Sequence, residues 1–304
     1  MTRAPSRTAE LMAVQRGLES LRPARSRLFC DPSSSRFVST RWRIILAASH
    51  IPGVRRLVEA VYDQVGGPGP RASAIARTRL IDDLLLRESA SAAQLVILGA
   101  GFDSRPYRLS PLKHVSVFEV DQPSTQEVKR EALRATPTHP NVHFVPVDFE
   151  HEDLAVALEA AQYDHLGPSM FLWEGVTNYL TPSAVDTTLH AVRSLASEND
   201  LLVFTYVDRA VIDGDVVAFP EARRWIEGVK RRGEPWTFGL SPGEVPNFLA
   251  NRGFTLEQDV STAVAGEQYF KALGRRERGS ALYHVVAARA GLAHTEPRMR
   301  PSIT

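Results

Sequence analysis

The chain has 304 residues, with 36 Lys and Arg against 35 Asp and Glu, so it can bury a large core and has no global charge reason to bind nucleic acid. Its single cysteine, Cys30, excludes an internal disulfide, fits a reducing cytoplasmic setting, and sits in a polar segment with no partnered histidine signal. No apolar run nears the roughly 20 residues that cross a bilayer, and the basic start lacks an adjoining apolar stretch, so neither membrane nor export is expected.

Residues 1–56 carry eleven arginines against Glu10, Glu19 and Asp31. No nucleic-acid motif accompanies them, and the segment reads as compositional bias on a flexible tail, with some arginines available to line a pocket for an anionic substrate. Thr8 to Leu21 has helical character, and a Pro/Ser-rich link follows around Asp31-Pro-Ser-Ser-Ser35. Phe37 to Ser49 and Val54 to Val65 read as two helices separated by Ile51-Pro52-Gly53. Gly66-Gly-Pro-Gly-Pro70 breaks the chain before another helix, whose apolar stripe is Ile75, Leu80, Ile81, Leu84 and Leu85. The division expected is a helical cap with a cofactor-contacting helix over 1–92 and a core over 93–304.

The core opens with Leu95 to Leu98, an apolar run that breaks into Gly99 and Gly101 and reads as a parallel strand buried on both faces. Glycines at the carboxyl end of such a strand let the backbone approach a ligand closely. Strands are further expected near 115–120, 142–147, 169–173 and 200–207, with helices between them, and then at Phe254 to Val260 and Ala281 to Ala288. Pro182 suits the first residue of the helix after the fourth strand, with Thr181 as its cap. After Asp208 comes a helical insertion, about 208–245, with a helix opening at Ser241-Pro242. The fold class is α/β, a Rossmann-like, mostly parallel sheet of seven strands.

Three successive strands end in an acid. Asp121 lies 20 residues after Gly101, Asp148 lies 27 beyond that, and Glu174 a further 26. Those spacings fit a strand plus a crossover helix, and ligands of such folds sit at the carboxyl ends of the strands. Taken singly, each acid also suits a helix N-cap. Asp121 is placed to accept from ribose hydroxyls. Asp148, with the ring of Phe149 beside it, suits an adenine, and Glu174 falls near the methionine end of S-adenosylmethionine. A nicotinamide dinucleotide is the alternative, but its fingerprint needs a third glycine where this chain has Ser104, and it leaves Asp148 and Glu174 without roles. A non-catalytic partner-binding protein on the same fold is a second alternative.

The strings Leu98-Gly-Ala-Gly-Phe-Asp-Ser-Arg-Pro-Tyr-Arg-Leu109, Phe118-Glu-Val-Asp-Gln-Pro123, Val147-Asp-Phe149 and Glu174-Gly-Val-Thr-Asn-Tyr-Leu-Thr-Pro182 resemble, in order, the motifs of the leucine carboxyl methyltransferase family, as does Ala76-Arg-Thr-Arg-Leu-Ile-Asp-Asp83. The resemblance runs from about Arg71 to Tyr206 and is nearest to the family's bacterial small-molecule branch, which includes polyketide O-methyltransferases. It implies a class I methyltransferase fold, S-adenosylmethionine as cofactor and O-methyl transfer. It further implies cofactor roles for Arg77, Gly99, Asp121, Asp148, Phe149 and Glu174, with the Arg77 guanidinium on the cofactor carboxylate; Gly101 joins them from the glycine motif. Arg79 would face elsewhere on the same helix.

Methyl transfer is chiefly a matter of orienting two reactants and excluding water. A carboxylate acceptor needs no base, whereas a hydroxyl does. Tyr179 and Tyr206, near the ends of the fourth-strand motif and the fifth strand, are candidates to hold a small-molecule acceptor. No His, Cys or Asp cluster has metal-ligand spacing, so no metal is expected.

Overall fold

The computed structural model describes residues 7–67, 69–134, 141–148, 152–215, 217–231 and 233–291. Seven strands form one sheet: β1 (Gln94–Leu98), β2 (Ser116–Asp121), β3 (Val142–Pro146), β4 (Ser169–Trp173), β5 (Leu201–Val207), β6 (Phe254–Ser261) and β7 (Tyr283–Ala290). Their order is β3-β2-β1-β4-β5-β7-β6. The first five run parallel, and β7 inserts antiparallel between β5 and β6. Strand order therefore reverses at β1, between β2 and β4, and the crevice above that switch point is where a ligand belongs. β1, β4 and β5 are buried along their whole length, as their unbroken apolar runs require.

Helices α1 (Arg7–Ser20), α2 (Thr40–Ala48), α3 (Pro52–Gly66) and α4 (Pro70–Glu88) precede the sheet. The crossovers carry α5 (Arg105–Arg108), α6 (Pro123–Leu133), α7 (Leu154–Ala160) and α8 (Pro182–Leu195). Thr181 caps α8 by accepting from the Ala184 N–H at 3.2 Å, with Pro182 opening the helix, as expected. The insertion after β5 holds α9 (Arg209–Ile212) and α10 (Ala222–Arg231), and α11 (Val245–Ala250) follows a 3-10 turn that opens at Pro242. α12 (Thr262–Ala272), which the sequence reading left unassigned, packs on α4 and fills the sheet face beneath it with Ala265 and Phe270.

The expectation of a flexible arginine-rich tail is corrected from Arg7 onward. Arg16 pairs with Asp31 at 2.8 Å, and Arg22 lies between Glu19, Glu59 and Glu277 at 2.9–3.1 Å. These arginines are structural counter-ions that fasten the cap to itself and to the loop after α12. Phe37 stacks on Phe102 with ring centroids 5.6 Å apart, which seats the cap on the glycine loop.

Candidate active site

Above the carboxyl ends of β1, β2 and β4 lies a cavity of about 1030 Å³, closed over by α1, α3 and α10. The turn after β1 forms its floor. Gly99 has φ +64, and a Cβ there would fall 2.5 Å from Val176 Cγ2, so only glycine fits the position. Gly101 also lines the cavity, and Ala9 of α1 approaches it closely enough that a Cβ on Gly101 would touch it at 3.5 Å.

Asp121 ends β2 with its carboxylate turned into the glycine turn. Its Oδ2 accepts from the Gly101 N–H and its Oδ1 from the Gln122 N–H at 2.7 Å. Burial pushes the Asp121 carboxyl above its ordinary value, against the opposing pull of those two N–H groups and of Lys129. Lys129 is itself buried, 2.7 Å from Glu119, beneath this edge of the site. Asp148 lines the cavity beyond β3. Phe149, expected to stack on an adenine, lies outside the described residues.

At the β4 end, Glu174 is held between two arginines. Arg77 of α4 donates from Nε to Oε1 at 2.7 Å, and Arg105 of α5 donates from Nη1 to Oε2 at 2.6 Å. Burial works to raise the Glu174 carboxyl, but Arg105 and Arg77 together hold it below its ordinary value. The Arg77 guanidinium also covers the ring of Tyr283 at 4.7 Å and meets Met12 Sδ of α1 through Nη2 at 3.4 Å. Arg79 instead pairs with Asp83 and bonds the Leu28 carbonyl, away from the cavity.

Arg105 was not singled out from the sequence, yet it organises this end of the site. It bonds Asp82 at 2.8 Å and Asp103 at 2.6 Å as well as Glu174. Asp103 is buried, which opposes its ionisation, but Arg105 beside it brings its carboxyl down to about 2. The signal available was Arg105-Pro106 at the mouth of a one-turn helix, directly after the position where the dinucleotide pattern would demand a small residue. Ser104, at the place of the missing third glycine, donates to Asp31 at 2.6 Å and so ties the cap to the glycine loop.

The two tyrosines separate. Tyr179 lines the cavity. Burial, with Tyr283 beside it, pushes the Tyr179 hydroxyl above its ordinary value, so it stays a protonated donor at neutral pH. Tyr206 does not face the cavity, contrary to expectation. It is fully buried on the opposite side of β5, donating to Asp259 at 2.7 Å and stacked on His284 at 4.8 Å. Strand alternation explains the error: Thr205 and Tyr206 project to opposite faces, and Thr205 is the one that reaches Gly175, through Oγ1 at 2.8 Å. Further wall is supplied by Tyr62, Trp225, Glu234 and Trp236, with the exposed side chains of Arg224 and Arg231 at its rim. Thr8 of α1 and Glu234 are hydrogen-bonded across it.

A family model described as leucine carboxyl methyltransferase matches residues 9–193. The chain belongs to the leucine carboxyl methyltransferase family. Among its relatives, a proposed S-adenosyl-L-methionine-dependent methyltransferase of Mycobacterium avium (strain 104) is 29% identical over 86% of this chain and 91% of its own length. One from Mycobacterium sp. (strain KMS) is 33% identical over 62% of this chain, and the match spans under two thirds of that relative's length, 64%. The fold is shared with a proposed methyltransferase of Thermobifida fusca YX, at a TM-score of 0.57 and 17% identity over 90% of this chain and 97% of that one. A DUF574 family protein of Streptomyces avermitilis gives the same TM-score at 14% identity, covering 94% and 97%. The cofactor of this methyltransferase family is S-adenosylmethionine, and the dinucleotide alternative falls away.

The residues present fit that cofactor. A turn that only glycine can make, a buried strand-end carboxylate and an arginine pair around an acid match a nucleoside at one end and an amino acid at the other. No phosphate-binding feature is needed.

Proposed function

We propose that the protein methylates an oxygen of an anionic small molecule with a planar, aromatic body, of polyketide type, and that the acceptor oxygen is a carboxylate. The observation that carries this reading is the composition of the cavity beyond the cofactor half. Tyr179, Trp225 and Trp236 supply flat apolar walls, while Arg224 and Arg231 supply positive charge at the rim. Aromatic faces suit a planar ligand, and guanidinium groups suit a carboxylate.

The cofactor supplies an electrophilic methyl group on its sulfonium. Asp121 and Asp148 are placed to hold the nucleoside and Arg77 the amino-acid carboxylate, which fixes the direction in which that methyl group is presented. α1 and α10 exclude water from the space between the two ligands. Tyr179, kept protonated, orients the acceptor by donating a hydrogen bond. Glu174 and Asp103 are both held ionised by arginine, so they are poor bases, and a carboxylate acceptor requires none.

The test is the pH dependence of the single-turnover rate at saturating acceptor. A carboxylate acceptor gives a rate nearly flat from about pH 6 to 9, well above a carboxyl pKa of roughly 4, and an alkali-labile ester. A rate that climbs with pH together with an alkali-stable ether would overturn the carboxylate assignment in favour of a hydroxyl.

A further inference from the structure

We propose that Gln15 of α1 is a cofactor-binding residue whose carboxamide hydrogen-bonds the amino-acid end of S-adenosylmethionine. Gln15 lines the cavity and is 1% exposed. Neither its Oε1 nor its Nε2 has a hydrogen-bond partner among the described residues. A fully buried amide left unpaired costs stability that an apolar side chain of the same length would not, so its presence at a ligand cavity points to a partner on the ligand.

The position on α1 says which part of the ligand. Thr8, Met12 and Gln15 recur at the spacing of one helix face, and all three line the cavity. Met12 on that face touches Arg77 Nη2, and Arg77 in turn holds Glu174 at the end of β4. Gln15 is one turn along from Met12 on that face, and in the proposed complex its amide reaches the same end of the ligand as Arg77. The β2 and β3 side, with Asp121 and Asp148, is separate from the β4 end in the strand order. The inference rests on the reading that Arg77 receives the amino-acid carboxylate.

The chemistry agrees. A carboxamide offers two donor hydrogens and an acceptor oxygen in one plane. Of the groups on this cofactor, the amino-acid end has an acceptor carboxylate and a donor ammonium side by side. Arg77, with Nε committed to Glu174, can serve only the carboxylate. Gln15 can accept from the ammonium while donating to the carboxylate, and this matches a zwitterion better than a second cation would. Because Gln15 belongs to the cap and not to the sheet, the cofactor would then link the two and hold α1 down over the site.

The experiment is calorimetric titration of the full chain with two ligands: S-adenosylhomocysteine, and 5′-methylthioadenosine, which lacks the amino-acid end. Gln15→Met keeps the length of the side chain and removes the amide. It should raise the Kd for S-adenosylhomocysteine about tenfold or more, as expected for hydrogen bonds to charged groups. It should leave 5′-methylthioadenosine unaffected, and the ligand-free variant should melt at or above the wild-type temperature. Gln15→Asn, with its amide withdrawn by one carbon, should show the same selective loss and serves if Gln15→Met does not fold. Unchanged binding of S-adenosylhomocysteine, or equal weakening of both ligands, would overturn the proposal. Arg77→Ala, titrated alongside, separates the two layers. If it loses S-adenosylhomocysteine selectively while the Gln15 variants do not, the inference fails and the reading of the site stands. If Arg77→Ala binds both ligands normally, the amino-acid end has been placed wrongly.

Discussion

Asp121→Asn is the most informative single change at the nucleoside end. The two carboxylate oxygens of Asp121 each already accept one backbone N–H, from Gly101 and from Gln122. A carboxylate has about four lone-pair sites, so two remain for the two ribose hydroxyls. Asparagine keeps one oxygen, and its amide nitrogen would have to face either a backbone N–H or a ribose hydroxyl. At least one ribose bond to a charged acceptor is lost, worth about 1.5–3 kcal/mol, or roughly 10- to 150-fold in Kd. Burial already pushes the Asp121 carboxyl above its ordinary value, so the neutral side chain is tolerated in the ligand-free protein. The fold should therefore lose only about 1 kcal/mol or less, the net worth of one ordinary hydrogen bond. Calorimetry with S-adenosylhomocysteine reads the affinity, and a thermal melt reads the fold. The 2′-deoxy analogue of the ligand completes the test, because its penalty should be smaller in the variant than in the wild type. An unchanged Kd would show that Asp121 does not meet the ribose, and a collapsed melt would show that its carboxylate serves the glycine turn alone.

Arg77→Lys should not restore wild-type affinity, since an ammonium cannot bond Glu174 and a ligand carboxylate along two edges as a guanidinium can; normal cofactor binding in a titration would make Arg77 merely structural. Gly99→Ala should destabilise by about 1–3 kcal/mol through overpacking against Val176, and Gly99→Ala/Val176→Ala should recover part of the loss in a denaturant melt, the remainder being the positive φ. No recovery would mean that the steric contact is not the cause. Asp103 and Glu277 both have carboxyls lowered to about 2, where burial is outweighed by Arg105 in one case and Arg275 in the other. Their ordinary values are 3.8 and 4.5, so the stability they contribute is fully present above pH 4.5 and is lost as the pH falls towards about 2. Melting temperatures should drop steeply across that window, and a flat profile from pH 5 to 2 would contradict the ion-pair geometry.

The sheet was legible because its central strands are unbroken apolar runs punctuated by glycine and acid, and each observed strand lies within two residues of its expected place. The strand-end lining of the cavity was legible for the same reason: Gly99, Gly101, Asp121, Asp148 and Glu174 stand at or just beyond strand ends, whose positions follow from the strands themselves. Residues brought to the site by packing were harder to read. Gln15 and Met12 arrive on a helix about 80 residues before the glycine turn, and only the docking of α1 brings them near it. Arg105 directly follows the departure from the pattern at Ser104, but its contacts with the three carboxylates of Asp82, Asp103 and Glu174 depend on tertiary placement. Tyr206 was misassigned because its face of β5 is decided by a register of one residue, which a strand buried on both faces does not display in its pattern. The arginine-rich beginning misled for a related reason: charge counts within the segment cannot show that Glu59 and Glu277 are waiting from more distant parts of the chain.

The antiparallel course of β7 also decides where the molecule can be handled. Ala290 lies beside Phe254 and bonds Asp200, next to the amino end of β5, at the foot of the parallel strands. Arg7 and Thr8, by contrast, stand in the wall of the cavity at the opposite end of the sheet. A fluorophore or surface tether fixed to the face beside Ala290 therefore lies on the far side from the chemistry. The same label fixed at Arg7 would stand in the cavity wall and compete with the acceptor for it, so an immobilised assay tethered through the Ala290 face should report turnover that tethering at Arg7 suppresses.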